Sequence, residues 1–511
     1  MADTKREIER KYEAAADASG ETRLPDLTKV AGVSSVRDKG VAELDAVYYD
    51  TDDLRLAADS ITLRRRTGGD DAGWHLKLPV SPHVRDEIRS PLADDLPPAL
   101  AALIRSRTRA EPVVPVVRLR SVRDVRHLLD AGGDLLAEVS VDTVTAQRIG
   151  VDAAGATARW TEVEVELADE GDPDLLDAVE KKLRKAGLRP ATSESKLARA
   201  LADTAPSWKR PGEEKPDRTA GDHVLAYLRE QYTSLVAYDP AVRRDLPDSV
   251  HQMRVATRRL RSALRTYRKV LDRAVTDPVV EELKWLAREL GADRDQEVLD
   301  ARLRARIDDV PETLLMGPVS GRLRIWSVAG REGVRAKTLA ALDSRRYLDL
   351  LTALHALLTD PPLRPAAKRS AAEVLPKAVL KDYGRLAHRM EPALSLPHGE
   401  ERDRAMHSAR KAAKRTRYAA DAARPTLGKP AKRFAKRVKA VQSVLGEHQD
   451  SVVARETLRT LAAQAHGAGE TAFTWGLLYG REEAAAQARE RQLPVAWAKA
   501  SKPKPRARLR A

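Results

Sequence analysis

Polar and apolar residues alternate in short runs through the first 200 or so residues, and from residue 221 onward apolar residues recur three and four positions apart. Alternation places successive side chains on opposite faces of a β-strand, whereas the longer repeat forms one face of an α-helix. The pattern predicts a multidomain α+β protein, with a β-rich domain over 1–205 and an all-α domain over 221–497. A proline-containing linker is predicted over 206–220, and a basic disordered tail over 498–511.

Eight segments of the first domain alternate as strands do, and turn residues such as Gly68 and Gly69 separate them. The predicted strands are Glu7–Lys11, Ala46–Asp50, Ser60–Arg66, Gly73–Val80, Val84–Ser90, Val113–Ser121, Asp134–Val144 and Arg159–Leu167. A helix is predicted over Leu175–Ala186. Eight antiparallel strands can close into a barrel or tunnel with flanking helices outside. The apolar side chains expected to face outward are Ile8, Leu63, Leu119, Val139, Val163 and Val165.

Charged side chains occupy the other face of several predicted strands. Glu7 and Glu9 make one strand acidic, whereas Arg64 and Arg66 make another basic. Charge inside a barrel is costly unless it is paired or binds a ligand. Carboxylates can hold Mg²⁺ together with phosphate oxygens, and arginine binds phosphate through a bidentate fork. The strands therefore predict a metal–phosphate site, unless each polar face is simply solvated as in an ordinary antiparallel sheet.

The composition indicates a globular protein with a polyanionic partner. The 511 residues are 42% apolar, include no cysteine and carry a formal net charge of +15. A chain without cysteine has neither disulfides nor thiolate metal sites, which fits a reducing compartment. The N-terminus lacks an apolar signal-peptide core and no apolar run of about 18 residues occurs, so we predict a cytoplasmic protein that does not span a membrane. By charge alone, the partner is nucleic acid, an anionic membrane surface or polyphosphate.

A basic ridge marks the helical domain between Val250 and Leu271. Apolar residues form a core stripe there, and basic residues follow the same steps one position later. The ridge consists of His251, Arg254, Arg258, Arg261, Arg265 and Arg268. Like-charge neighbours on a helix cost about 0.2–0.5 kcal/mol per pair, which an anionic ligand would offset. A solvated helix face is the alternative interpretation.

The ridge recurs later in the chain. His407, Arg410, Lys414 and Arg417 repeat its spacing 156 residues on (407 − 251). A Leu-Gly pair also repeats, at Leu290-Gly291 and, 155 residues on (445 − 290), at Leu445-Gly446; Asp295 and Asp450 follow these pairs. Two landmarks with nearly equal shifts indicate an internal duplication, which would bring both ridges around one basic surface. No aromatic residues that could stack on bases are interleaved with the ridges, which argues against nucleic acid.

The charged strands of the first domain carry a series of short motifs. They are Glu7-Ile8-Glu9-Arg10-Lys11, Leu63-Arg64-Arg65-Arg66, His75-Leu76-Lys77-Leu78-Pro79, Arg85-Asp86-Glu87, Arg118-Leu119-Arg120, Glu162-Val163-Glu164-Val165-Glu166-Leu167 and Ser195-Lys196. In this order they resemble the motifs of the CYTH superfamily, the triphosphate tunnel metalloenzymes, whose first motif is Glu-x-Glu-x-Lys. The resemblance covers roughly 1–203 and implies an eight-stranded antiparallel tunnel that binds triphosphate with Mg²⁺ or Mn²⁺.

The resemblance implies roles for individual residues. Phosphate contacts are implied for Arg64, Arg66, Lys77, Arg85, Arg118, Arg120 and Lys196. Metal ligands are implied among Glu7, Glu9, Asp142, Glu162, Glu164 and Glu166. The choice among the last three glutamates stays open, as does the choice between Arg118 and Arg120 as the principal contact. Lys11, with Glu7 and Glu9, would form the catalytic group that orients an attacking water, and the implied chemistry is metal-assisted hydrolysis.

The helical domain resembles the CHAD domain, a helical domain named for conserved histidines, over about 221–495. The two ridge segments, 250–261 and 407–418, carry the resemblance. It implies two four-helix bundles related by a pseudo-twofold axis, which bind inorganic polyphosphate along a basic central surface. The implied contacts are His251, Arg254, Arg258, Arg261, Arg265, His407, Arg410, Lys414 and Arg417, and a basic run on a later helix, Lys432, Arg433 and Lys436, would extend them.

These resemblances predict a CYTH–CHAD fusion that hydrolyses inorganic triphosphate or a related polyphosphate. Its helical domain would bind polyphosphate and target the protein to it, including polyphosphate granules. A non-catalytic polyphosphate-binding adaptor is the alternative, although the many carboxylates favour catalysis. An adenylyl cyclase on the same tunnel would need a nucleoside pocket, which the sequence does not indicate. The sequence identifies no obligate protein partner.

Overall fold

The computed structural model describes residues 3–14, 24–150, 155–205 and 219–509, without the side chains of 292–295 and 331–332. Most of the predicted linker, at 206–218, lies outside these described residues. The chain divides into two compact units, Met1–Glu213 and Glu214–Ala511. The first unit is built around a β-sheet and the second is all-helical, as the sequence predicts.

The first unit is a closed antiparallel sheet. Its strands are β1 (Asp3–Ala14), β2 (Ser35–Asp50), β3 (Thr62–Thr67), β4 (Gly73–Ser81), β5 (Val84–Pro91), β6 (Val114–Leu129), β7 (Leu135–Arg148), β8 (Thr157–Leu167) and β9 (Leu188–Pro190). They pair in the order β5-β4-β3-β2-β6-β7-β8-β1, and β1 also pairs with β5, which closes a ring of eight. The short strand β9 pairs with the end of β1. The predicted eight-stranded tunnel is confirmed.

Strands β2 and β6 extend furthest beyond the strands that the sequence pattern predicts. Strand β2 begins at Ser35 rather than Ala46, and β6 continues beyond Ser121 to Leu129. The two extensions pair with each other; most side chains of the β2 extension are exposed, and most of those of the β6 extension are half-buried. Alternation of polar and apolar residues requires one buried face, so the extensions carry no such pattern.

One turn depends on glycine. Gly68 joins β3 to β4 with φ +81°, and a Cβ at this position would lie 2.1 Å from the carbonyl oxygen of Glu43. Neither the left-handed conformation nor the close approach to the β2 backbone tolerates a side chain.

Helices pack on both sides of the ring. They are α1 (Arg55–Ala58), α2 (Pro98–Thr108), α3 (Asp174–Lys185) and α4 (Lys196–Thr204). Helix α3 buries Leu176 and Leu183 against the outer faces of β7 and β8, which include the outward-facing Val139, Val163 and Val165. This is the packing predicted for those valines.

Helix α4 packs against the inner face instead. Leu197 and Leu201 contact a cluster that includes Trp160, Val144 and Leu119. Trp160 lies two residues from Glu162 on β8, and Val144 lies two residues from Asp142 on β7. Residues two apart on a strand share a face, so both side chains are on the same side of the sheet as these carboxylates. Helix α4 therefore fills one end of the lumen, and the prediction that Leu119 faces outward is wrong.

The second unit consists of eleven described helices. They are α5 (Ala220–Arg243), α6 (Ser249–Thr266), α7 (Arg273–Glu289), α8 (Gly291–Asp308), α9 (Val319–Asp343), α10 (Arg345–Thr359), α11 (Ala371–Ser395), α12 (Glu400–Ala422), α13 (Arg424–Gly467), α14 (Phe473–Ala500) and α15 (Pro503–Ala507). The core stripe predicted for the first ridge is present, since Met253, Leu260 and Leu264 are buried in the main core. No helix among the described residues is long and apolar enough to cross a membrane.

The predicted disordered tail differs from the structure over its described part. Helix α15 lies within 498–511, Leu509 is buried in the main core, and the guanidinium of Arg506 lies 4.7 Å from the centre of the Tyr383 ring. The basic composition of the tail suggested disorder, but one leucine and one cation–π contact anchor it.

Candidate tunnel site and basic cavity

The ring encloses a cavity of about 270 Å³ in the first unit. Most of its lining side chains are charged, and they come from strands around the ring and from the start of α4. The charged lining residues are Lys5, Glu7, Glu9, Lys11, Arg64, Arg66, Asp71, Lys77, Arg85, Glu87, Arg89, Arg123, Glu138, Glu164, Glu166 and Lys196. Ten of the residues predicted for the tunnel site are in this set, and Asp142 and Glu162 adjoin it.

Three buried carboxylates, those of Asp142, Glu162 and Glu164, form the acidic part of the site. Each offers an oxygen within 4.8 Å of the other two. The ammonium of Lys196 lies 3.1, 2.8 and 2.6 Å from Asp142, Glu162 and Glu164, respectively. A cation thus already occupies the point where the three carboxylates converge. Oxygen donors grouped in this way fit a hard divalent ion.

Arg123 on β6 braces this carboxylate set. It donates two 2.8 Å hydrogen bonds to Asp142 and one of 2.9 Å to Glu164. Although burial opposes ionisation, Lys196 and Arg123 lower the pKa of Asp142, and Lys11, Lys196 and Arg123 hold the pKa of Glu164 well below its usual value. Both carboxylates are therefore ionised at neutral pH.

Strand β1 contributes the predicted catalytic group. Lys11 contacts Glu164 and lies 3.3 Å from Glu9, while Lys77 lies 2.5 Å from Glu7. Burial raises the pKa of Glu7 to about 7, whereas Lys11 and Lys77 overcome burial and lower the pKa of Glu9. The alternation predicted for Glu7, Glu9 and Lys11 thus places all three in the cavity.

Arg64 and Arg66 on β3 form a basic wall of the cavity that could bind an anion. Arg64 lies 3.4 Å from the Tyr48 hydroxyl and 3.6 Å from Glu87, and Arg66 contacts Asp71. Within the described part of the chain, the buried Nε atoms of both arginines have no hydrogen-bond partner. Burial, followed by the neighbouring Arg64 and Arg123 charges, lowers the pKa of Arg66 to about 9. A bound anion would supply the missing acceptors and charge.

Glu87 is a buried member of the site that was not predicted as a site residue. Its carboxylate contacts Arg89 and lies 3.0 Å from Nδ1 of His75, whose Nε2 lies 2.9 Å from the Asp71 carbonyl oxygen. Burial lowers the pKa of His75 to about 4. The Arg85-Asp86-Glu87 motif contained the signal, because Glu87 shares a strand face with Arg85.

Arg85 and Glu166 lie at the margin of the cavity. Arg85 donates hydrogen bonds to the carbonyl oxygens of Ser60 (2.8 Å) and Glu194 (3.0 Å) and lies 3.9 Å from Glu9. Glu166 pairs with Lys5 at 2.6 Å rather than with the carboxylate set. Of the three candidate glutamates on β8, Glu162 and Glu164 therefore fit a metal set best.

Arg118 and Arg120 do not reach the cavity, which corrects the prediction for both residues. Arg118 donates a 2.9 Å hydrogen bond to Asp45, and Arg120 lies 3.6 Å from the same carboxylate with 65% of its side chain exposed. Leu119 and Arg123 occupy the inner face of β6, so the residues at 118 and 120 face outward. Arg123 supplies the β6 cation in their place.

The second unit contains a basic cavity of about 660 Å³. Eight predicted contacts line it together, from α6 and α12: His251, Arg254, Arg258, Arg261, Arg265, His407, Arg410 and Lys414. Further polar lining residues, not predicted, are Ser262, Arg302, Lys411, Arg415, Gln449 and Asp450. The two ridges thus face one space, as the duplication predicts. We call this space the basic cavity.

The repeated Leu-Gly pairs lie beside arginines of the basic cavity. Arg254 donates a 3.0 Å hydrogen bond to the carbonyl oxygen of Gly291, and a Cβ there would lie 3.4 Å from the guanidinium. At the equivalent position in the second repeat, a Cβ on Gly446 would lie 3.6 Å from Arg410. In both repeats the first ridge arginine therefore lies beside the glycine of the Leu-Gly pair, which is on α8 in the first repeat and on α13 in the second. Arg410 also lies 3.4 Å from Asp450, whereas the side chain of Asp295 is outside the described residues.

Four predicted contacts lie elsewhere. Arg417 stacks on the ring of Tyr418 at 4.8 Å and does not line the basic cavity. Lys432, Arg433 and Lys436 are exposed on α13 and do not line it either. Their positions do not support Arg417 as a contact in this cavity or the three residues on α13 as an extension of it.

Family models match both units. The CYTH domain model matches residues 5–201, and the CHAD domain model matches residues 226–459. The chain therefore belongs to the CYTH–CHAD fusion proteins, which combine a triphosphate tunnel domain with a helical CHAD domain. Over 509 residues it is 39% identical to the uncharacterized protein Rv2226 of Mycobacterium tuberculosis (strain ATCC 25618 / H37Rv), an alignment that covers 97% of this chain and 96% of the relative. CYTH membership implies a dependence on divalent metal.

Two solved structures are similar to part of the chain. PptA from Streptomyces chartreusis has a TM-score of 0.47 and 21% identity, covering 55% of this chain and 99% of its own. The CHAD domain from the plant Ricinus communis has a TM-score of 0.44 and 28% identity, covering 56% of this chain and 93% of its own.

Proposed function

We propose that the first unit hydrolyses inorganic triphosphate or a related polyphosphate with a divalent metal ion, and that the second unit binds inorganic polyphosphate. One observation carries the first half: a single buried cavity holds Arg64, Arg66 and Lys77 together with the carboxylates of Glu9 and Glu164. An anion receptor alone has no use for so many carboxylates. A metal–phosphate complex needs both charge types in one space.

Mg²⁺ or Mn²⁺ is the ion we propose. Asp142, Glu162 and Glu164 would hold it, and Glu7 and Glu9 are further carboxylate donors in the same cavity. When bound, such an ion neutralises charge on phosphoryl oxygens and makes a bound water more acidic. Lys196 now contacts all three members of the buried set, so ion binding would free its ammonium for a phosphate oxygen.

The chain's own residues would position the phosphates and the water. Arg64 and Arg66 present guanidinium groups to the cavity, and Lys77 adds an ammonium beside Glu7. Lys11, which lies between Glu9 and Glu164, would hold the attacking water by donating a hydrogen bond to its oxygen. Fixed cations that face the transferred phosphoryl group stabilise the charge of the transition state.

The lining favours an inorganic substrate. Charged side chains dominate the described walls of the cavity, whereas a nucleobase is usually bound by apolar or aromatic surface. Tyr48 is the one aromatic residue among the described lining residues, and its hydroxyl already contacts Arg64. This composition supports inorganic triphosphate over a nucleotide and argues against the adenylyl cyclase alternative.

Phosphate release tests the catalytic half of the proposal. The full-length protein would be assayed with inorganic triphosphate, ATP and long-chain polyphosphate, each with Mg²⁺, with Mn²⁺ and with EDTA. We expect fastest release from inorganic triphosphate and none with EDTA. Equal release with EDTA would contradict a metal-dependent site. An absence of release with every substrate and metal, alongside tight polyphosphate binding, would favour the non-catalytic adaptor.

The basic cavity supports the binding half. Arginines and lysines from α6, α8 and α12 line about 660 Å³, and burial followed by the charges of Arg410, Arg258 and Arg254 lowers the pKa of Lys414 to about 7. Cations held so close together repel one another unless an anion lies between them. A flexible chain of phosphates fits such a space, and binding to it would bring the protein to polyphosphate granules in the cytoplasm.

Direct competition distinguishes polyphosphate from nucleic acid, because both bind in a salt-dependent manner. Fluorescently labelled polyphosphate would be displaced from the full-length protein by unlabelled polyphosphate or by DNA of equal phosphate concentration. We expect polyphosphate to compete at a much lower concentration than DNA. Equal competition would contradict a polyphosphate-specific cavity.

A further inference from the structure

A second cluster of potential metal ligands lies in the helical unit, outside the lining of the basic cavity. Asp403 on α12, His448 on α13 and Glu490 on α14 each offer one ligand atom, and these atoms lie within 4.8 Å of one another. His448 is completely buried and Glu490 is 5% exposed. The cluster therefore joins three helices at one buried point.

The ligand atoms converge on Nε2 of His448. This nitrogen lies 3.2 Å from Oδ1 of Asp403 and 3.3 Å from Oε1 of Glu490. Ligands on a tetrahedral ion with bonds of about 2.0 Å are separated by about 3.3 Å. The two separations from Nε2 of His448 match that edge length, and the two carboxylate oxygens lie within 4.8 Å of each other.

Arginines hold the outer oxygens of both carboxylates. Arg455 lies 3.1 Å from Oδ2 of Asp403, and Arg402 lies 3.1 Å from Oε2 of Glu490. The inner oxygens are thereby turned toward His448. Such orienting partners behind the ligands are a regular feature of metal sites.

Of the two inner oxygens, Oε1 of Glu490 lies 3.0 Å from Nδ1 of His398 and 3.3 Å from Nε2 of His448, whereas that of Asp403 lacks a hydrogen bond among the described residues. Oδ1 of Asp403 is buried and accepts no hydrogen bond among the described residues, although it is only 3.2 Å from His448. A neutral imidazole has one N–H, which cannot serve two carboxylate oxygens equally well. A buried carboxylate oxygen without a donor is costly, and a cation at this point would remove that cost.

We infer that Asp403, His448 and Glu490 bind a divalent transition-metal ion of the Zn²⁺ class. One imidazole nitrogen and two carboxylate oxygens suit Zn²⁺ or Co²⁺ better than Mg²⁺, which prefers oxygen ligands alone. His398 lies beside the cluster, with Nδ1 3.0 Å from Oε1 of Glu490. It orients Glu490 from the more exposed side.

The ion would have a structural role. Asp403 lies one helical turn before His407, and His448 lies two residues before Asp450, so both ligands adjoin residues of the basic cavity. A bound ion would fix α12 to α13 and α14 at that point. This inference is independent of the proposed activity of the first unit and of polyphosphate binding.

Metal stoichiometry tests the inference on the full-length protein. Zn²⁺ binding would be measured by equilibrium dialysis and Co²⁺ binding by visible absorption, in wild type and in a background variant, Asp142→Asn, that weakens the carboxylate set of the first unit. In both backgrounds we expect His448→Gln to lose one tightly bound Zn²⁺ per chain and the Co²⁺ absorption bands. His388→Gln, which replaces an exposed histidine on α11, should retain both.

A second variant guards against misfolding. Asp403→Asn keeps the side-chain volume and should also lose the ion while retaining the wild-type circular dichroism spectrum. Zn²⁺ should raise the melting temperature of wild type and of His388→Gln but not of the two ligand variants. Equal Zn²⁺ stoichiometry in wild type, His448→Gln and Asp403→Asn would overturn the inference and leave the cluster as a buried ion-pair network.

Discussion

Lys414 is a residue of the basic cavity whose charge depends strongly on its surroundings. Burial and then Arg410, Arg258 and Arg254 lower its pKa to about 7 in the free protein. A bound polyanion would raise that pKa again, because negative charge stabilises the ammonium. Polyphosphate binding should therefore take up a proton when the pH lies above 7.

We predict that the affinity for polyphosphate falls as the pH rises from about 7 to 9. The free protein loses the Lys414 proton in this window while the complex retains it, so affinity falls by at most about tenfold per pH unit. Calorimetric titration in buffers of different ionisation enthalpy would measure the proton uptake. Lys414→Arg keeps its charge throughout and should flatten the dependence. A wild-type affinity that is constant over this range would contradict the assignment.

Arg123 and Arg118 provide a matched pair on one strand. Arg123 faces the cavity and braces Asp142 and Glu164, whereas Arg118 faces outward beside Asp45. We predict that Arg123→Ala lowers kcat/KM for triphosphate by about 10- to 100-fold, the usual effect of removing a partner that orients metal-binding carboxylates. Arg118→Ala should change it less than about twofold. Steady-state kinetics of both variants would measure this, and the reverse order would place the phosphates elsewhere.

The residue pattern alone could not choose between these arginines. The alternation in Arg118-Leu119-Arg120 allows either the two arginines or the leucine to face the lumen, because apolar residues pack on both sides of this ring. Only the register of β6 against β7, which places Arg123 opposite Asp142, settles which side chains face inward. The sequence does contain Arg123, but the predicted strand ended at Ser121.

At the scale of elements, the pattern was most informative where one face of a strand or helix is buried. It correctly placed the charged faces of β1 and β3 in the lumen and both helical ridges around one cavity. It could not anticipate that α4 enters the lumen, because Leu197 and Leu201 would form an equally good outer-surface stripe. The cluster around His448 was also missed, since its three ligands come from three helices far apart in the chain.

Helices α6 and α12 act together, so charge reversal on both should have a large effect. We predict that Arg254→Glu combined with Arg410→Glu lowers polyphosphate affinity at least 100-fold, since each lost charge-assisted hydrogen bond contributes about 1.5–3 kcal/mol. Fluorescence anisotropy with labelled polyphosphate would measure it.

The matched control reverses two exposed charges on α13, Lys432→Glu and Lys436→Glu, and should cost less than about fivefold at moderate salt. An equal loss of polyphosphate affinity in both double variants would mean that general surface charge, and not the basic cavity, binds polyphosphate.

At the scale of the whole molecule, each unit contains its own core and its own charged cavity. The two candidate activities should therefore be separable by mutation. We predict that Glu9→Gln leaves polyphosphate affinity within about twofold of wild type, and that Arg254→Glu with Arg410→Glu leaves kcat/KM for triphosphate equally unchanged. Binding and kinetics measured on the same preparations would show it. Loss of both activities in either variant would contradict separate sites.

We propose that the first unit is a metal-dependent triphosphatase. The most direct test of this proposal is the rate of phosphate release from inorganic triphosphate with Mg²⁺ or Mn²⁺, compared between wild type, Glu9→Gln and Glu43→Gln, a control on the exposed part of β2. We predict release by wild type and Glu43→Gln and its loss in Glu9→Gln. Undiminished release by Glu9→Gln, or none by wild type with either metal, would contradict the proposal.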